Sequence, residues 1–200
     1  MVIHAHPEHH LRARAWHDHG HENNPNLPRW EDSRQSGGFN FRMSELQGAV
    51  GTVQLAKLDM VLAAQRRTAS SIRDCLQEFG LSDFRPEPTG SEGTDDAVIV
   101  RFESSLAARR FRQELLAVGL STKILPEALT WHFAGFWTHI EALSRRHRKI
   151  SPETWPKSFH ELQRCAAIPS MVSPDDTFLA KISQAVDCFS RTMSGTDGQA

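Results

Sequence analysis

The chain has 200 residues, with 23 lysine and arginine residues against 24 aspartate and glutamate residues and a formal net charge of −1. This length suits one domain, or one domain with appendages, and the balanced charge argues against a nucleic-acid partner, which would require a basic excess. No apolar run approaches about 18 residues, so we expect no membrane partner. The N-terminus is polar and unlike a secretory signal. The three cysteines are too widely spaced for a disulfide or zinc pattern, which indicates a cytoplasmic protein.

The first forty residues are predicted to form a short helix followed by a long loop. A helix is expected over 7–15, and the Gly, Asn and Pro content of 18–38 predicts a loop. His17, His19 and His21 carry imidazoles that suit zinc or nickel. In a helix, however, side chains at alternate positions point apart. We therefore expect no specific metal site, although an exposed histidine cluster can bind metal adventitiously.

The strongest helix signal in the sequence begins at Ser44. Ser44 and Gln47 have the spacing of a capping box. Apolar residues then recur at intervals of three, four or seven, which predicts one long helix or two abutting helices over 44–79. Gly48 and Gly51 weaken a helix, and their presence in the first turns indicates close approach of another backbone.

The remainder of the chain alternates between strand and helix patterns. The predicted elements are a strand over 97–102, a helix from Ser104 or Ser105 through Val118, a strand over 120–125, an irregular stretch over 126–154, a helix over 156–167, an extended run over 167–172 and a helix from Pro174. This order predicts an α/β (α+β) domain in which a small sheet is packed with helices.

Two segments are candidates for binding. Asn40 and Arg42 lie just before the capped N-terminus at Ser44, where free N–H groups and the helix dipole favour an anion. The alternative is an ordinary loop-to-helix junction with Arg42 in a surface ion pair. Trp131 and His132 could line a pocket, or these aromatic residues could cover the edge of the core.

The loop and helix together resemble a known family, the DegT/DnrJ/StrS-type sugar aminotransferases. The residues that carry the resemblance are Gly38-Phe39-Asn40-Phe41-Arg42-Met43-Ser44-Glu45-Leu46-Gln47, Ala49-Val50-Gly51, Gln54-Leu55, Lys57-Leu58-Asp59 and Arg66-Arg67. The resemblance extends over nearly the whole chain. It corresponds to the C-terminal half of a full-length member, so it implies the small C-terminal domain of a fold-type I enzyme of the aspartate-aminotransferase fold.

The resemblance implies an activity that depends on pyridoxal 5′-phosphate (PLP). Members of the family transfer an amino group from an amino acid, commonly glutamate, to a sugar carbonyl, and an internal lysine holds the cofactor. Carried over to this chain, Asn40 would contact the cofactor phosphate in the neighbouring subunit of a dimer. Arg42 would support that phosphate or a substrate carboxylate, and Trp131, His132 and Arg29 are candidates for the substrate pocket.

A narrower resemblance is to 8-amino-3,8-dideoxy-manno-octulosonate transaminase. The residues that carry it are His17-Asp18-His19-Gly20-His21-Glu22-Asn23-Asn24-Pro25, Leu27-Pro28-Arg29, Thr122-Lys123-Ile124-Leu125-Pro126 and Thr130-Trp131-His132-Phe133-Ala134-Gly135. This resemblance implies a free keto-octulosonate as substrate and a role in amino-sugar and lipopolysaccharide biosynthesis.

The chain departs from the family pattern at the catalytic lysine, which lies upstream of the matching segment in family members. None of the lysines present occupies that context; they are Lys57, Lys123, Lys149, Lys157 and Lys181. We therefore expect a truncated aminotransferase that is inactive alone and works as a homodimer or with a companion chain carrying the large domain. The alternative is a non-enzymatic binding or assembly module derived from the same fold.

This interpretation predicts a division of the chain into four parts. The parts are a remnant of the large domain with an interface loop over 1–43, a long bridging helix over 44–80, the small α/β domain over 81–193 and a disordered tail over 194–200.

Overall fold

The structure is a computed structural model of the chain and describes residues 2–121, 125–126, 128–146 and 150–196. It divides into two compact units, an N-terminal unit over residues 1–57 and a C-terminal unit over residues 58–200. The helices of the N-terminal unit are α1 (Pro7–Trp16) and α2 (Glu45–Ala56), with a 3-10 turn at Arg29–Glu31. The C-terminal unit contains α3 (Leu58–Glu78), β1 (Ala97–Arg101), α4 (Ser105–Ala117), α5 (Leu129–His132), a 3-10 turn at Ala134–Phe136, α6 (Glu141–Arg146), a 3-10 turn at Pro152–Thr154, α7 (Pro156–Leu162), β2 (Cys165–Pro169) and α8 (Phe178–Thr196).

The N-terminal unit has a small and largely polar interior. Its helix α1 begins at Pro7, as predicted, with Glu8 in the first turn, where a negative charge is favourable. Among the described residues of this unit, Ala15 is the only buried hydrophobic residue, and Asp18 and His21 are also buried. Main-chain pairing and charged contacts, rather than an apolar core, therefore hold this unit together.

Helix α2 has the local signals that the sequence predicted. The Ser44 side chain accepts a hydrogen bond from the Gln47 main-chain N–H, and the Gln47 side chain accepts one from the Ser44 N–H. The helical stretch consists of two helices, because α2 ends at Ala56 and α3 begins at Leu58. The expected close backbone approach to the glycines is absent from the described chain: a Cβ at Gly51 would meet no atom within 4 Å, and one at Gly48 would meet only the Met43 sulfur at 3.9 Å.

In the C-terminal unit, β1 and β2 pair antiparallel in the predicted small sheet. The register places Val98 opposite Ile168 and Val100 opposite Ala166. These four residues belong to a large hydrophobic cluster on one face of the sheet, whereas Cys165 and Ala167 belong to a second cluster on the other face. The sheet is thus buried on both faces.

The large cluster is completed by three amphipathic helices. Its helical members are Ala69, Ile72 and Leu76 of α3, Ala107, Ala108, Phe111 and Leu115 of α4, and Phe178, Ile182, Ala185, Val186 and Phe189 of α8. Phe111 packs between Phe102 and Phe189, with ring centroids 5.1 and 5.5 Å away. The predicted α/β arrangement of a small sheet packed with helices is confirmed.

The second strand lies two residues earlier than predicted. The predicted helix over 156–167 ends at Leu162, and the strand runs over Cys165–Pro169 instead of 167–172. The run Cys165-Ala166-Ala167-Ile168 is buried throughout. A short, continuous apolar run does not distinguish helix from strand, and pairing with β1 decides the outcome.

Two further predictions differ from the structure. The stretch over 126–154, expected to be irregular, contains the short helices α5 and α6 and two 3-10 turns. Such short helices offer too few residues for a periodic signal. Of the predicted strand over 120–125, residues 122–124 lie outside the described residues, and the neighbouring described residues are not in a strand.

The last helix begins and ends later than the sequence predicted. It begins at Phe178 rather than Pro174, because Asp175 turns the chain by accepting a hydrogen bond from the Thr177 N–H. The helix continues through Thr196, past the start of the expected tail at residue 194, and residues 197–200 lie outside the described chain. None of the described helices is long and apolar enough to cross a bilayer.

Candidate functional site

Two loops of the N-terminal unit are joined by main-chain hydrogen bonds. The Phe39 N–H donates to the Trp16 carbonyl (2.9 Å), and the Phe41 N–H donates to the His17 carbonyl (2.9 Å). Asn40 lies between them, opposite Asp18 in an isolated antiparallel bridge. The loop that carries Asn40 is therefore fixed to the residues that follow α1.

Glycines permit this close approach. Gly20 has a φ of +85°, and a Cβ there would lie 2.0 Å from the Ser36 carbonyl oxygen. A Cβ at Gly38 would lie 2.5 Å from the Gly20 nitrogen and 2.6 Å from the Trp16 carbonyl oxygen. Any larger side chain at either position would force the two loops apart.

Asp18 is the centre of a charged cluster that we call the Asp18 cluster, which consists of Asp18, Arg29, Asn40 and Arg42. Asp18 is 4% exposed. Its two carboxylate oxygens accept hydrogen bonds from Nη2 of Arg29, at 3.0 and 2.9 Å, and Nε of Arg42 lies 3.3 Å from its Oδ1. The hydrogen bonds from Arg29 hold the pKa of the Asp18 carboxyl below its ordinary value. With one ionised acid and two guanidinium groups, the cluster has a net positive charge.

The side chain of Asn40 is oriented by Arg42. Its Oδ1 accepts a hydrogen bond from Nε of Arg42 at 3.1 Å. Because a guanidinium can only donate, this contact fixes the amide so that Nδ2 carries the remaining donors. The Nδ2 group has no hydrogen-bond partner among the described residues. A free amide NH₂ beside a half-exposed guanidinium is an arrangement that can bind an anion.

A second acid, Asp32, supports the loop around Arg29. Its carboxylate accepts hydrogen bonds from the main-chain N–H groups of Asn23 (2.8 Å) and Asn24 (3.0 Å). The hydrogen bond from Asn24 contributes most to the lowered pKa of Asp32. Arg29 and Asp32 both line a polar cavity of about 310 Å³. The guanidinium of Arg29 can therefore contact a ligand in this cavity while it also holds Asp18.

His17 and His21 make contacts with different partners. His17 contacts the Arg14 carbonyl oxygen through Nδ1 at 2.7 Å, and Nδ1 of the buried His21 lies 3.4 Å from Oδ2 of Asp32. Within the described ranges, no group of three or more histidine, cysteine or acidic side chains comes together as a metal site.

The remaining predicted site residues lie in the C-terminal unit. Trp131 and His132 are on α5, and both are exposed, Trp131 to 73%. The Trp131 carbonyl oxygen accepts a hydrogen bond from Nε1 of Trp137 at 2.7 Å. Their assignment to a substrate pocket stays a prediction.

The structure thus brings together three residues that the sequence predicted, Arg29, Asn40 and Arg42. It adds Asp18 and Asp32, which sequence reasoning missed. Asp18 lies in a histidine-rich run, and nothing in the sequence pairs it with arginines that follow 11 and 24 positions later.

Known proteins show the same architecture. Residues 1–187 match the DegT/DnrJ/EryC1/StrS aminotransferase family. Among solved structures, the aminotransferase TlmJ from Streptoalloteichus hindustanus superimposes with a TM-score of 0.68 at 18% identity, over 95% of this chain and 47% of that one. PseC of Helicobacter pylori, an aminotransferase involved in the biosynthesis of pseudoaminic acid, gives a TM-score of 0.65 at 14% identity, over 94% and 47%.

A third similar structure is the PLP form of Spr1654 from Streptococcus pneumoniae, with a TM-score of 0.63 at 16% identity, over 96% of this chain and 46% of that one. The chain therefore spans less than half the length of these structures. At these identities the structures show a shared fold, and the sequence match covers most of the chain. The chain belongs to the DegT/DnrJ/EryC1/StrS aminotransferase family.

Proposed function

We propose that this chain forms part of a PLP-dependent aminotransferase that transfers an amino group from an amino acid, such as glutamate, to the carbonyl of a keto sugar. Family membership supports the reaction class. The observation that carries the proposal is the Asp18 cluster, in which Arg42 orients Asn40 so that its amide NH₂ is available to an anion. The phosphate of PLP is such an anion.

The residues of the cluster fit a phosphate. Arg29 neutralises Asp18, so the charge of Arg42 is left to attract a second anion. When bound, PLP supplies the electron sink for transamination. Asn40 would donate from Nδ2 to a phosphate oxygen, and Arg42 would add charge or hold a substrate carboxylate. Spr1654 is known in PLP and PMP forms, which supports the choice of cofactor.

Asn40 is proposed to act on a neighbouring subunit. Its loop is flanked by Phe39 and Phe41, which are 57% and 65% exposed. An exposed loop with large apolar side chains is suited to insertion into another protein surface. We therefore propose that the cofactor site is shared, either in a homodimer or with a companion chain that carries the large domain.

The substrate class rests on the narrower resemblance. We propose a keto-octulosonate, converted by an 8-amino-3,8-dideoxy-manno-octulosonate transaminase in amino-sugar and lipopolysaccharide biosynthesis in the cytoplasm. Arg29, which borders the polar cavity, is proposed to bind the sugar acid, with Trp131 and His132 as further substrate contacts. PseC, which takes part in pseudoaminic acid biosynthesis, supports a role in amino-sugar formation.

Turnover is proposed to need groups outside this chain. None of its lysines has the sequence context of the family's catalytic lysine, and the chain corresponds to less than half of the similar structures. On this proposal, residues 1–43 belong to the large domain and its interface loop, 44–80 bridge the domains, and 81–193 form the small domain.

The test uses the gene in its native position. Cells are supplied with ¹⁵N-glutamate, and amino sugars are measured by mass spectrometry. We expect deletion to abolish labelling of one amino sugar with accumulation of the keto sugar, and Asn40→Ala to reduce labelling about tenfold, because hydrogen bonds to charged groups are worth about 1.5–3 kcal/mol. Asn26→Ala, in an exposed loop, is the matched control. Unchanged labelling in the deletion strain would contradict the reaction class. Loss of a different amino sugar would contradict only the proposal that the substrate is a keto-octulosonate.

A second candidate function is an assembly module without catalysis. Helix α2 has no buried residue, and Leu46, Val50 and Val53 on one of its faces are all more than half exposed. Under this alternative, charged substitutions on that face would abolish the cellular phenotype, whereas Asn40→Ala would leave it unchanged.

A further inference from the structure

The C-terminal unit contains a cavity of about 500 Å³ that the proposed function does not use. It lies between α4, α5 and α7, and neither Trp131 nor His132 lines it. A volume of this size is within the range of small-molecule sites in proteins. Its lining has an apolar floor and a polar rim.

The rim comes from the outer face of α4. Arg109, Arg112 and Gln113 occupy positions i, i+3 and i+4, so their side chains lie on one side of the helix. Ala107 and Phe111 lie on the opposite side, in the large core cluster. The core therefore fixes the rotation of α4 and directs two guanidinium groups and an amide towards the cavity.

The floor is a packed aromatic surface. The rings of Phe136 and Phe159 are 6.1 Å apart in an edge arrangement, and Phe159 packs against Phe133 with ring centroids 5.8 Å apart. Phe133 is buried, and Phe136 and Phe159 pack against the cluster to which it belongs. Because these rings are held by the core, the floor is formed before any ligand arrives.

The described residues of the lining carry positive charge. Among the described lining residues there is no acidic side chain. Arg109 is exposed and has no ion pair or hydrogen-bonded side-chain partner within the described chain. Gln163, on the α7 side, is held by a contact between its Nε2 and Nδ1 of His160 at 3.2 Å. An apolar floor below a cationic rim favours a ligand that has an apolar body and one negative charge.

We propose that this cavity binds a small organic carboxylate with an apolar ring or chain. The apolar body would lie against Phe136 and Phe159, and the carboxylate would accept hydrogen bonds from Arg109 at the rim, with Arg112 adding positive charge. Guanidinium groups match the planar, two-oxygen geometry of a carboxylate. The site is independent of PLP and of the Asp18 cluster, so its failure would leave the proposed function unaffected.

The test is a titration of the full chain, followed by NMR of its phenylalanine rings and backbone amides. The probe is phenylacetate; 2-phenylethanol lacks the charge, and acetate lacks the ring. We expect saturable shifts at Phe136, Phe159 and the amides of α4 with phenylacetate. Binding of 2-phenylethanol or acetate should be at least tenfold weaker.

Variants of Arg109 test whether its charge, and not only the folding of the chain, is needed for binding. Arg109→Glu should weaken phenylacetate binding at least tenfold, and Arg109→Lys, which keeps the charge, should lose less. Arg67→Glu, at an exposed arginine of α3 outside the cavity, should bind as the unmodified chain does. Equal affinity for phenylacetate and 2-phenylethanol, shifts confined to other surfaces, or unchanged binding by a folded Arg109→Glu variant would overturn the proposal.

Discussion

Arg29 donates two hydrogen bonds from Nη2 to the carboxylate of Asp18, at 3.0 and 2.9 Å. Asp18 is almost fully buried, and a buried acid is stable in its charged form only when it is paired. The pair also has a consequence for Asn40, because Asp18 contacts Arg42 and Arg42 orients the Asn40 amide. A side chain that does not face the proposed ligand thereby positions one that does.

The first prediction concerns Asp18→Asn. The neutral amide cannot hold two guanidinium groups, so we expect the loop around Asn40 to loosen. Amide hydrogen exchange at Phe39 and Phe41, whose N–H groups donate to the Trp16 and His17 carbonyls, should accelerate at least tenfold. Asp74→Asn, at an exposed position in α3, is the control. Unchanged exchange in Asp18→Asn would show that the main-chain bridge alone fixes the loop.

The second prediction is the pH dependence of the same loop. The pKa of Asp18 is lower in the folded chain than the value of about 3.9 expected when unfolded. A lowered pKa contributes stability that is present above about pH 4 and is lost as the pH falls through the folded value. Asp32 shares this direction. Carbon-detected NMR should show Asp18 titrating below its value in the unfolded chain, with protection of the Phe39 amide lost at acid pH.

The Asp18→Asn variant also tests the source of the acid sensitivity. It should show a smaller loss of Phe39 protection between pH 5 and acid pH, because one of the two acids no longer titrates. A titration midpoint for Asp18 that is not lower than in the unfolded chain would contradict the role of Arg29.

The third prediction compares two adjacent glycines. A Cβ at Gly38 would lie 2.5 Å from the Gly20 nitrogen, whereas a Cβ at Gly37 would meet no atom within 4 Å. We expect Gly38→Ala to destabilise the paired loops by about 1–3 kcal/mol, as overpacking usually does, and Gly37→Ala to have little effect. Exchange at the Phe39 amide measures both. Equal protection in the two variants would contradict the close packing of these loops.

How far the sequence predicts this structure depends on whether the signal is local. The capping box of Ser44 and Gln47 and the N-cap at Ser104 were predictable because each depends on residues three positions apart. The strand at Cys165–Pro169 was misplaced because its alanines suit a helix equally well and pairing with β1 decides.

The same difference between local and long-range signals applies to the candidate site. Asn40 and Arg42 were found from a short motif before a capped helix. The pairing of Asp18 with Arg29 was missed because it depends on how the loop over 18–38 folds back, and no periodicity in the sequence encodes that path.

The fourth prediction concerns the large hydrophobic cluster of the C-terminal unit. Phe111 is fully buried and packs between Phe102 and Phe189. Phe111→Ala should lower the free energy of unfolding of the C-terminal unit by about 3–5 kcal/mol, measured by urea denaturation. Leu116→Ala, on the same helix and 42% exposed, should cost less than about 1 kcal/mol. A small loss for Phe111→Ala would contradict the packing of α4 against α8.

The fifth prediction tests whether α2 lies in an interface between subunits. Leu46, Val50 and Val53 are spaced at i, i+4 and i+7, so they form an exposed apolar stripe. If this stripe joins two copies of the chain, Val50→Glu should shift sedimentation towards the monomer, because a charge cannot be buried there without a partner. Thr52→Glu adds the same charge at an exposed position of the helix outside the stripe and should leave the association unchanged. Equal sedimentation of the two variants would place the contact between subunits on another surface, and a chain that is monomeric at all concentrations would favour a companion chain over a homodimer.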